Sequence, residues 1–345
     1  MIYVDGSPFT PDDSSQGMDT LVALMEHPLL VSASNTFNTV VEKNISISGN
    51  SSSVTSSVGK LVYIFQREYA TVDPTLVDVV GTDEATTCVG VAIRNRKSRM
   101  ISAAHMDSPE VVNNGLTQML SLVADQDPDA LYDVHLIGGF DDISPQHSNH
   151  RKIQTELEGY SYPLCAKIVE SLRNRSEKFQ IGTLHILWHN TKWDSKGIAS
   201  PIFHGFVVET STGVIIPACF DKTTRCPDEI VRRIRVTANF EDPTWSGRLL
   251  DTYDTSTDRV AIAPCVWTMR QKRIAMKLQS LSDAEILLFC SSSPSAEGPE
   301  FVDNERRKWD YLIRHPDWTE AFPHRQPRVF ERTVDGTWAR IDPFE

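Results

Sequence analysis

The stretch "GTDEATTCVGVAIRNRKSRMISAAHMDS", residues 81–108, contains two runs of small and β-branched residues separated by a polar "NRKS". Such runs, joined by a turn signal, predict a β-hairpin with strands over "CVGVAIR" and "RMISAAH". The first strand begins at Cys88 and the second ends at His105. The hairpin therefore brings a thiol and an imidazole to the same end of one sheet.

The length of the turn sets how close these two side chains come. Paired positions in an antiparallel hairpin have a constant sum, and a two-residue turn at Arg96 and Lys97 or a four-residue loop over 95–98 gives 193. With that sum, and with no β-bulge, Cys88 lies directly opposite His105. Directly opposed residues have Cβ atoms about 4.5–5.5 Å apart, so the imidazole would reach the thiol.

Side-chain alternation assigns the rest of the hairpin to two faces. The face shared with Cys88 and His105 carries mostly small residues, which would leave room for a substrate: Gly90, Ala92, Ile101 and Ala103. The opposite face is expected to point into the core: Val89, Val91 and Ile93.

A cysteine and a histidine in this arrangement suit nucleophilic catalysis. Only the thiolate attacks well, and a histidine can take the thiol proton and return it to the leaving group. The lead-in "TDEATT" offers hydroxyls at Thr82, Thr86 and Thr87, and carboxylates at Asp83 and Glu84, for orienting the imidazole. The glycine pair Gly138–Gly139 could present backbone N–H groups to an oxyanion.

Two simpler interpretations stay open at this point. Free cysteine is among the most buried residue types, so Cys88 could be a structural thiol. His135, in "VHLIGG", could be the base in place of His105, although a strand histidine bonded to its neighbours is more common.

The remaining patterns indicate an α+β fold. We predict helices over 18–30, after Asn113 or Asn114, and over 163–175, 282–290 and 300–316. A strand is predicted over 61–72, with hairpins within 202–220 and 248–264. We expect a single domain over 1–345, with a flexible serine-rich insertion at about 45–60.

Composition excludes several classes of protein. The chain has 345 residues, 40% hydrophobic content and a net charge of -12, without a long basic run, so no nucleic-acid partner is expected. No signal peptide or membrane span is apparent. The six dispersed cysteines indicate reduced thiols, and thus a cytoplasmic or nuclear location. We expect a monomer.

We expect no metal and no cofactor. His185 and His189, and His147 and His150, have spacings that suit a metal only on a helix, and neither pair has a full ligand set nearby in the sequence.

The segments "GTDEATTC", "HMD" and "VHLIGGFDD" resemble the protein N-terminal asparagine amidohydrolases. The resemblance extends over nearly the whole chain, through "YVDG", "VYIFQREYATV", "IFHGFVVETSTGVIIPA" and "FVDNERRKWDYLIRHP". It implies hydrolysis of the side-chain amide of an N-terminal asparagine to aspartate, with Cys88 as nucleophile. The aspartate formed can be arginylated and read as a degradation signal.

A more distant likeness, to the bacterial chemotaxis-receptor deamidases and the cytotoxic necrotizing toxins, covers only the core. It implies a layered α-β-β sandwich of mostly antiparallel strands with helices outside. It also maps the catalytic histidine onto His105 and an orienting threonine onto Thr82, where animal members of the first family carry serine.

Recognition of an N-terminus requires a group that holds the α-ammonium. Asp83, Glu84 and Asp107 are the candidates, and turn formation or solvated charge is the alternative for each. Two other function classes also remain: a cysteine hydrolase of different scope, such as a peptidase or an internal glutamine or asparagine deamidase, and a non-catalytic binder of protein N-termini.

Overall fold

The structure is a computed structural model, and it describes residues 1–10, 17–46, 59–124, 127, 129–143 and 159–341. The predicted serine-rich insertion falls largely outside the described residues, as do His147 and His150. The described segments contain no helix long and apolar enough to cross a membrane.

The strands run in chain order as follows: β1 Ile2–Val4, β2 Ser7–Pro8, β3 Lys43–Ile45, β4 Leu61–Tyr63, β5 Glu68–Val72, β6 Val79–Thr82, β7 Val89–Asn95, β8 Ile101–Met106, β9 Leu131–Phe140, β10 Lys178–Leu187, β11 Thr191–Trp193, β12 Ala199–Pro201, β13 Phe206–Glu209, β14 Ile215–Phe220, β15 Leu250–Asp251, β16 Tyr253–Asp254, β17 Arg259–Ile262, β18 Arg328–Arg332 and β19 Trp338–Ile341. The α-helices are α1 Gly17–Met25, α2 Pro28–Asn38, α3 Val112–Val123, α4 Ser161–Arg173, α5 Glu229–Phe240, α6 Met269–Leu278, α7 Asp283–Cys290, α8 Phe301–Arg314 and α9 Trp318–Ala321.

Two large sheets form the centre of the molecule. One has eight strands in the order β15-β5-β8-β7-β9-β10-β1-β2, and the other has five in the order β3-β14-β13-β6-β4. Most pairings are antiparallel, and two smaller sheets, β11-β12 and β16-β17-β18-β19, lie outside them. The predicted α+β class is confirmed.

The eight-stranded sheet separates two hydrophobic cores, which gives the molecule its layers. Val89, Val91 and Ile93 of β7 pack with side chains of α1, α3 and α4 on one side. Ala92 points to the other side, where Phe206 and its neighbours in the five-stranded sheet meet it. The order of layers is therefore helices, eight-stranded sheet and five-stranded sheet, as the likeness to the bacterial deamidases implied, and Val89, Val91 and Ile93 face a core as alternation predicted.

Two of the predicted elements are interrupted. The strand predicted over 61–72 is wrong, because β4 and β5 belong to different sheets. Arg67 takes a left-handed conformation, with φ of 64°, and turns the chain from one sheet to the other. The helix predicted over 18–30 is two helices, since Pro28 forces its predecessor His27 out of the helical conformation.

The helix predicted to start after Asn113 or Asn114 begins at Val112. A short 3₁₀ turn over Pro109–Val111 leads directly into it, so the asparagines lie within its first turn instead of capping it.

A buried ion cluster joins β5 to α5. The Glu68 carboxylate accepts hydrogen bonds at 2.6 Å from both Arg232 and Arg235, and Arg232 also donates to the Tyr63 carbonyl at 2.7 Å. Burial by itself would raise the pKa of Glu68, but the two guanidinium groups outweigh it and hold that pKa at about 2.

Replacing Glu68 with glutamine is expected to lower the free energy of unfolding by about 3–5 kcal/mol, because two buried guanidinium groups lose their counter-charge. The pKa of Glu68 is lower in the folded state than the value of about 4.3 expected in the unfolded state. Its ionisation therefore stabilises the fold at pH values above about 4.3, and this stabilisation is lost as the pH falls towards 2. Urea unfolding should therefore show the difference between wild type and Glu68→Gln shrinking below pH 4. Glu331→Gln, in an exposed pair with Arg259, should cost less than about 1 kcal/mol. Equal losses in the two variants would contradict this role.

Candidate active site

The hairpin of β7 and β8 forms, but its register differs from the prediction. Gly90 pairs with His105, so paired positions sum to 195 and Cys88 is not directly opposite His105. The turn occupies 96–99, because the Asn95 side chain accepts hydrogen bonds from the Lys97 and Ser98 N–H groups at 2.8 and 3.1 Å. The predicted direct opposition is wrong by two residues.

Because the register differs from the prediction by two residues, an even number, every side chain stays on the face of the sheet predicted for it. Cys88 lies just before the first residue of β7 and two positions from Gly90, so alternation places it on the His105 face as a diagonal neighbour. Diagonal neighbours lie about 7–8 Å apart at Cα, within reach of a long side chain such as histidine.

The space expected above the small residues of the hairpin is occupied. A Cβ atom on Gly90 would lie 2.3 Å from Cε1 of Phe206, which projects from the facing sheet. Gly90 therefore admits the Phe206 ring, and the prediction that this part of the face leaves room for a substrate is wrong.

His105 is 2% exposed and is fixed by Thr82. The Thr82 hydroxyl lies 2.8 Å from Nδ1 of His105, and β6 carries Thr82 there by pairing with Phe206 of β13. The other imidazole nitrogen, Nε2, is buried without a hydrogen-bond partner among the described residues. Burial lowers the pKa of His105 to about 4, against the opposing effect of the Glu84 and Glu68 carboxylates, so the imidazole is neutral at pH 7.

Cys88 is partly exposed, whereas the residues on both sides of it are buried. Its carbonyl accepts a 2.7 Å hydrogen bond from the Gly139 N–H, and a Cβ atom on Gly138 would lie 2.6 Å from that carbonyl. The glycine pair thus shapes the backbone at Cys88, and the Gly139 N–H is not free to bind an oxyanion. The Cys88 N–H itself has no acceptor within the described part of the chain.

The surroundings of the Cys88 thiol favour its protonated form. Burial raises the pKa of Cys88 well above its usual value, the Asp107 and Glu297 carboxylates raise it further, and Arg67 opposes them. The resting site therefore has a neutral thiol and a neutral imidazole on the same face of the hairpin.

The carboxylate of Asp83 is fully engaged by the protein. It accepts hydrogen bonds from the Tyr63 hydroxyl at 2.6 Å, the Phe220 N–H at 2.8 Å and Arg225 at 2.9 Å. Burial and the nearby Glu84 raise the pKa of Asp83 to about 6, although Arg225 lowers it.

Glu84 lies beside Asp83 and is also paired. It accepts two hydrogen bonds from Arg233, at 2.9 and 3.1 Å, and one from Asn304 at 2.9 Å, and Arg225 lies 3.0 Å away.

Asp107 is buried against Arg67, at 3.0 Å. The Arg67 guanidinium lies 3.6 Å from the Phe240 ring centre and 4.3 Å from that of Trp245, and the Arg67 N–H donates to the His105 carbonyl at 2.8 Å. All three acids suggested by the sequence therefore already have an arginine partner.

The segment 291–300, between α7 and α8, reaches the site although no sequence motif indicated it. The Thr87 hydroxyl lies 3.1 Å from that of Ser292. His204, whose carbonyl accepts from the Ala85 N–H, approaches the Ala296 carbonyl at 3.3 Å. These contacts bring Glu297 close to Cys88, and the only signal in the sequence is a pair of acids, Glu297 and Glu300, within a run of serine, proline, alanine and glycine.

His135, the alternative base, lies elsewhere in the sheet. It pairs with Ala92, four residues along the strand from Cys88, which corresponds to about 13 Å. Its Nδ1 lies 3.0 Å from the Thr183 hydroxyl, the arrangement of a structural strand histidine. Within the described ranges, no three His, Cys, Asp or Glu residues are grouped so that they could hold a metal ion.

Comparison with known proteins connects this geometry to a family. Residues 51–340 match the family model described as protein N-terminal asparagine amidohydrolase. A protein of that name from Arabidopsis thaliana is 56% identical, over 99% of this chain and 100% of its own length. Proteins of the same name from Mus musculus and Sus scrofa are 27% and 28% identical, each over 81% of this chain and 84% of their own.

Proposed function

Because this chain belongs to the protein N-terminal asparagine amidohydrolase family, we propose that it hydrolyses the side-chain amide of an N-terminal asparagine to aspartate and releases ammonia. The observation that carries the proposal is that Cys88 and His105 lie on the same face of the β7–β8 hairpin as diagonal neighbours. The imidazole is held at Nδ1 by Thr82, its Nε2 has no hydrogen-bond partner among the described residues, and Cys88 is a partly exposed residue.

The proposed first step is acylation. Nε2 of His105 takes the thiol proton while the Cys88 sulfur bonds to the carboxamide carbon, and the carbonyl oxygen becomes an oxyanion. The Cys88 N–H is the proposed donor to that oxyanion. Collapse of the tetrahedral intermediate breaks the C–N bond, and the His105 proton goes to the departing ammonia.

Hydrolysis of the thioester completes the cycle. His105 removes a proton from water, the hydroxide attacks the carbonyl carbon, and the C–S bond breaks. The proton returns to the sulfur, which leaves aspartate and the free enzyme.

Thr82 sets the tautomer that this cycle requires. If its hydroxyl proton points to the Asp83 carbonyl, 3.5 Å away, then its oxygen accepts Nδ1–H and leaves Nε2 as the base. Since the resting pair is neutral, proton transfer accompanies attack on the substrate.

A panel of short peptides that begin with Asn, Gln, Asp or acetyl-Asn tests the function. We expect ammonia from the Asn peptide. We expect the Gln peptide to react at least about 10-fold more slowly, since one methylene in a tight pocket is worth roughly 1–3 kcal/mol. Faster release from acetyl-Asn would instead indicate an internal deamidase. Binding of all peptides without ammonia release would indicate a non-catalytic receptor.

The biological role and the compartment are proposed on the basis of the same family membership. The aspartate product is a substrate for arginylation, which marks a protein for degradation, and the proposed compartment is the cytoplasm or nucleus. The free thiols of all six cysteines support a reducing compartment.

A further inference from the structure

The Asp107 and Glu297 carboxylates act on the Cys88 thiol and Glu84 acts on His105, and these three acids and Asp83 differ in how their charge is balanced. Asp83, Glu84 and Asp107 each lie within 3.0 Å of an arginine nitrogen. For Glu297 the only hydrogen bond within the described part of the chain is donated by the Ser291 hydroxyl, and no cationic side chain of that part forms an ion pair with it.

The location of Glu297 is fixed from two sides. Ser292, five residues before it, contacts Thr87, the residue preceding Cys88. Ala296, directly before it, contacts His204, which also accepts from the Ala85 N–H. The segment is thus held across the Cys88 loop, with the Glu297 carboxylate close enough to raise the pKa of the thiol.

Two further observations indicate that this side of the site lacks a partner among the described residues. The Ser293 hydroxyl, on the same segment, is buried without a hydrogen-bond partner in the described residues. Burial, Glu84 and Glu305 raise the pKa of Glu297 to about 7, against the effect of Ser291. A carboxylate in this state gains from the arrival of a cation, because the cation supplies the counter-charge that the protein does not.

We propose that Glu297 binds the α-ammonium of the substrate and so restricts the enzyme to N-terminal residues. This inference rests on the proposed function and identifies the group that holds the chain terminus. In an asparagine the α-nitrogen and the amide carbon are separated by only two carbons, so the ammonium lies close to the atom attacked by Cys88. An acetylated or internal asparagine has no such charge to offer.

The test compares an Asn-initiated tetrapeptide with its des-amino analogue, in which hydrogen replaces the α-amine. Wild type should prefer the free amine strongly in kcat/KM. Glu297→Gln should reduce that preference about 10- to 100-fold by slowing only the amine-bearing peptide, the effect of losing one charge-assisted hydrogen bond. Glu297→Asp should fall between them, because it keeps the charge.

Glu305→Gln is the matched control. It removes a nearby negative charge, but Glu305 already pairs with Lys308 at 2.7 Å, so the preference should persist. The rate at which iodoacetamide alkylates Cys88 checks that the thiol stays reactive in Glu297→Gln. This rate should not be lower than in wild type, because the substitution removes one negative charge adjacent to the thiol. Equal losses on both peptides would overturn the proposal. Absence of ammonia from both peptides with wild type would instead refute the amidohydrolase function.

Discussion

Cys88→Ala is expected to abolish ammonia release from an Asn-initiated peptide, with a loss of at least about 10⁴-fold. Asp83, Glu84 and Asp107 are each held by an arginine, so none of them is expected to replace the sulfur as a nucleophile. The substitution removes a partly exposed side chain and should leave the fold intact. Ammonia release at saturating peptide, followed by a coupled assay, measures the effect.

Cys219→Ala is the control for this result. Cys219 is also partly exposed, and burial raises its pKa to about 11, but it lies on β14 with its sulfur 3.8 Å from the Lys43 carbonyl. Its replacement should keep full activity. Persistent turnover in Cys88→Ala would contradict the cysteine mechanism, whereas loss in both variants would indicate a general dependence on thiols.

His105→Gln is expected to reduce kcat by about 10²- to 10⁴-fold, the usual contribution of a general base. The wild-type pH profile should carry the signature of the same residue. Because the base form is the neutral imidazole and its pKa is about 4, kcat at saturating peptide, where the bound ammonium keeps Glu297 ionised, should persist as pH falls through 6 and decline near 4. An acid limb of kcat at about 6.5 would contradict a buried neutral His105, whereas a limb near 7 confined to kcat/KM would reflect Glu297.

Substitutions at Thr82 separate orientation of the imidazole from its basicity. Thr82→Ser keeps the hydroxyl 2.8 Å from Nδ1 and should retain most activity, whereas Thr82→Val removes the hydrogen bond and should lose activity. Equal rates in the two variants would mean that His105 is positioned by packing alone.

For the β7–β8 hairpin, the sequence predicted the side-chain faces correctly and the register incorrectly. Alternation placed His105 and Cys88 on one face because side-chain direction has a strict period of two. The register was wrong because it depends on the turn, where the Asn95 side chain closes a loop one residue further along than predicted. The strand predicted over 61–72 failed for a related reason, since the pattern of apolar residues does not reveal that Arg67 turns the chain.

By itself, the sequence determined the faces of the hairpin strands and led to the proposal of Cys88 and His105 as the reacting pair, because both depend on residue type and on local periodicity. Only the tertiary structure decided which groups are free to bind. Arg225, 142 residues from Asp83, engages that carboxylate, and Phe206 fills the space above Gly90. Glu297 has no cationic partner among the described residues for the same reason: counter-charges come from segments distant in sequence, so their distribution follows from packing and not from the local pattern.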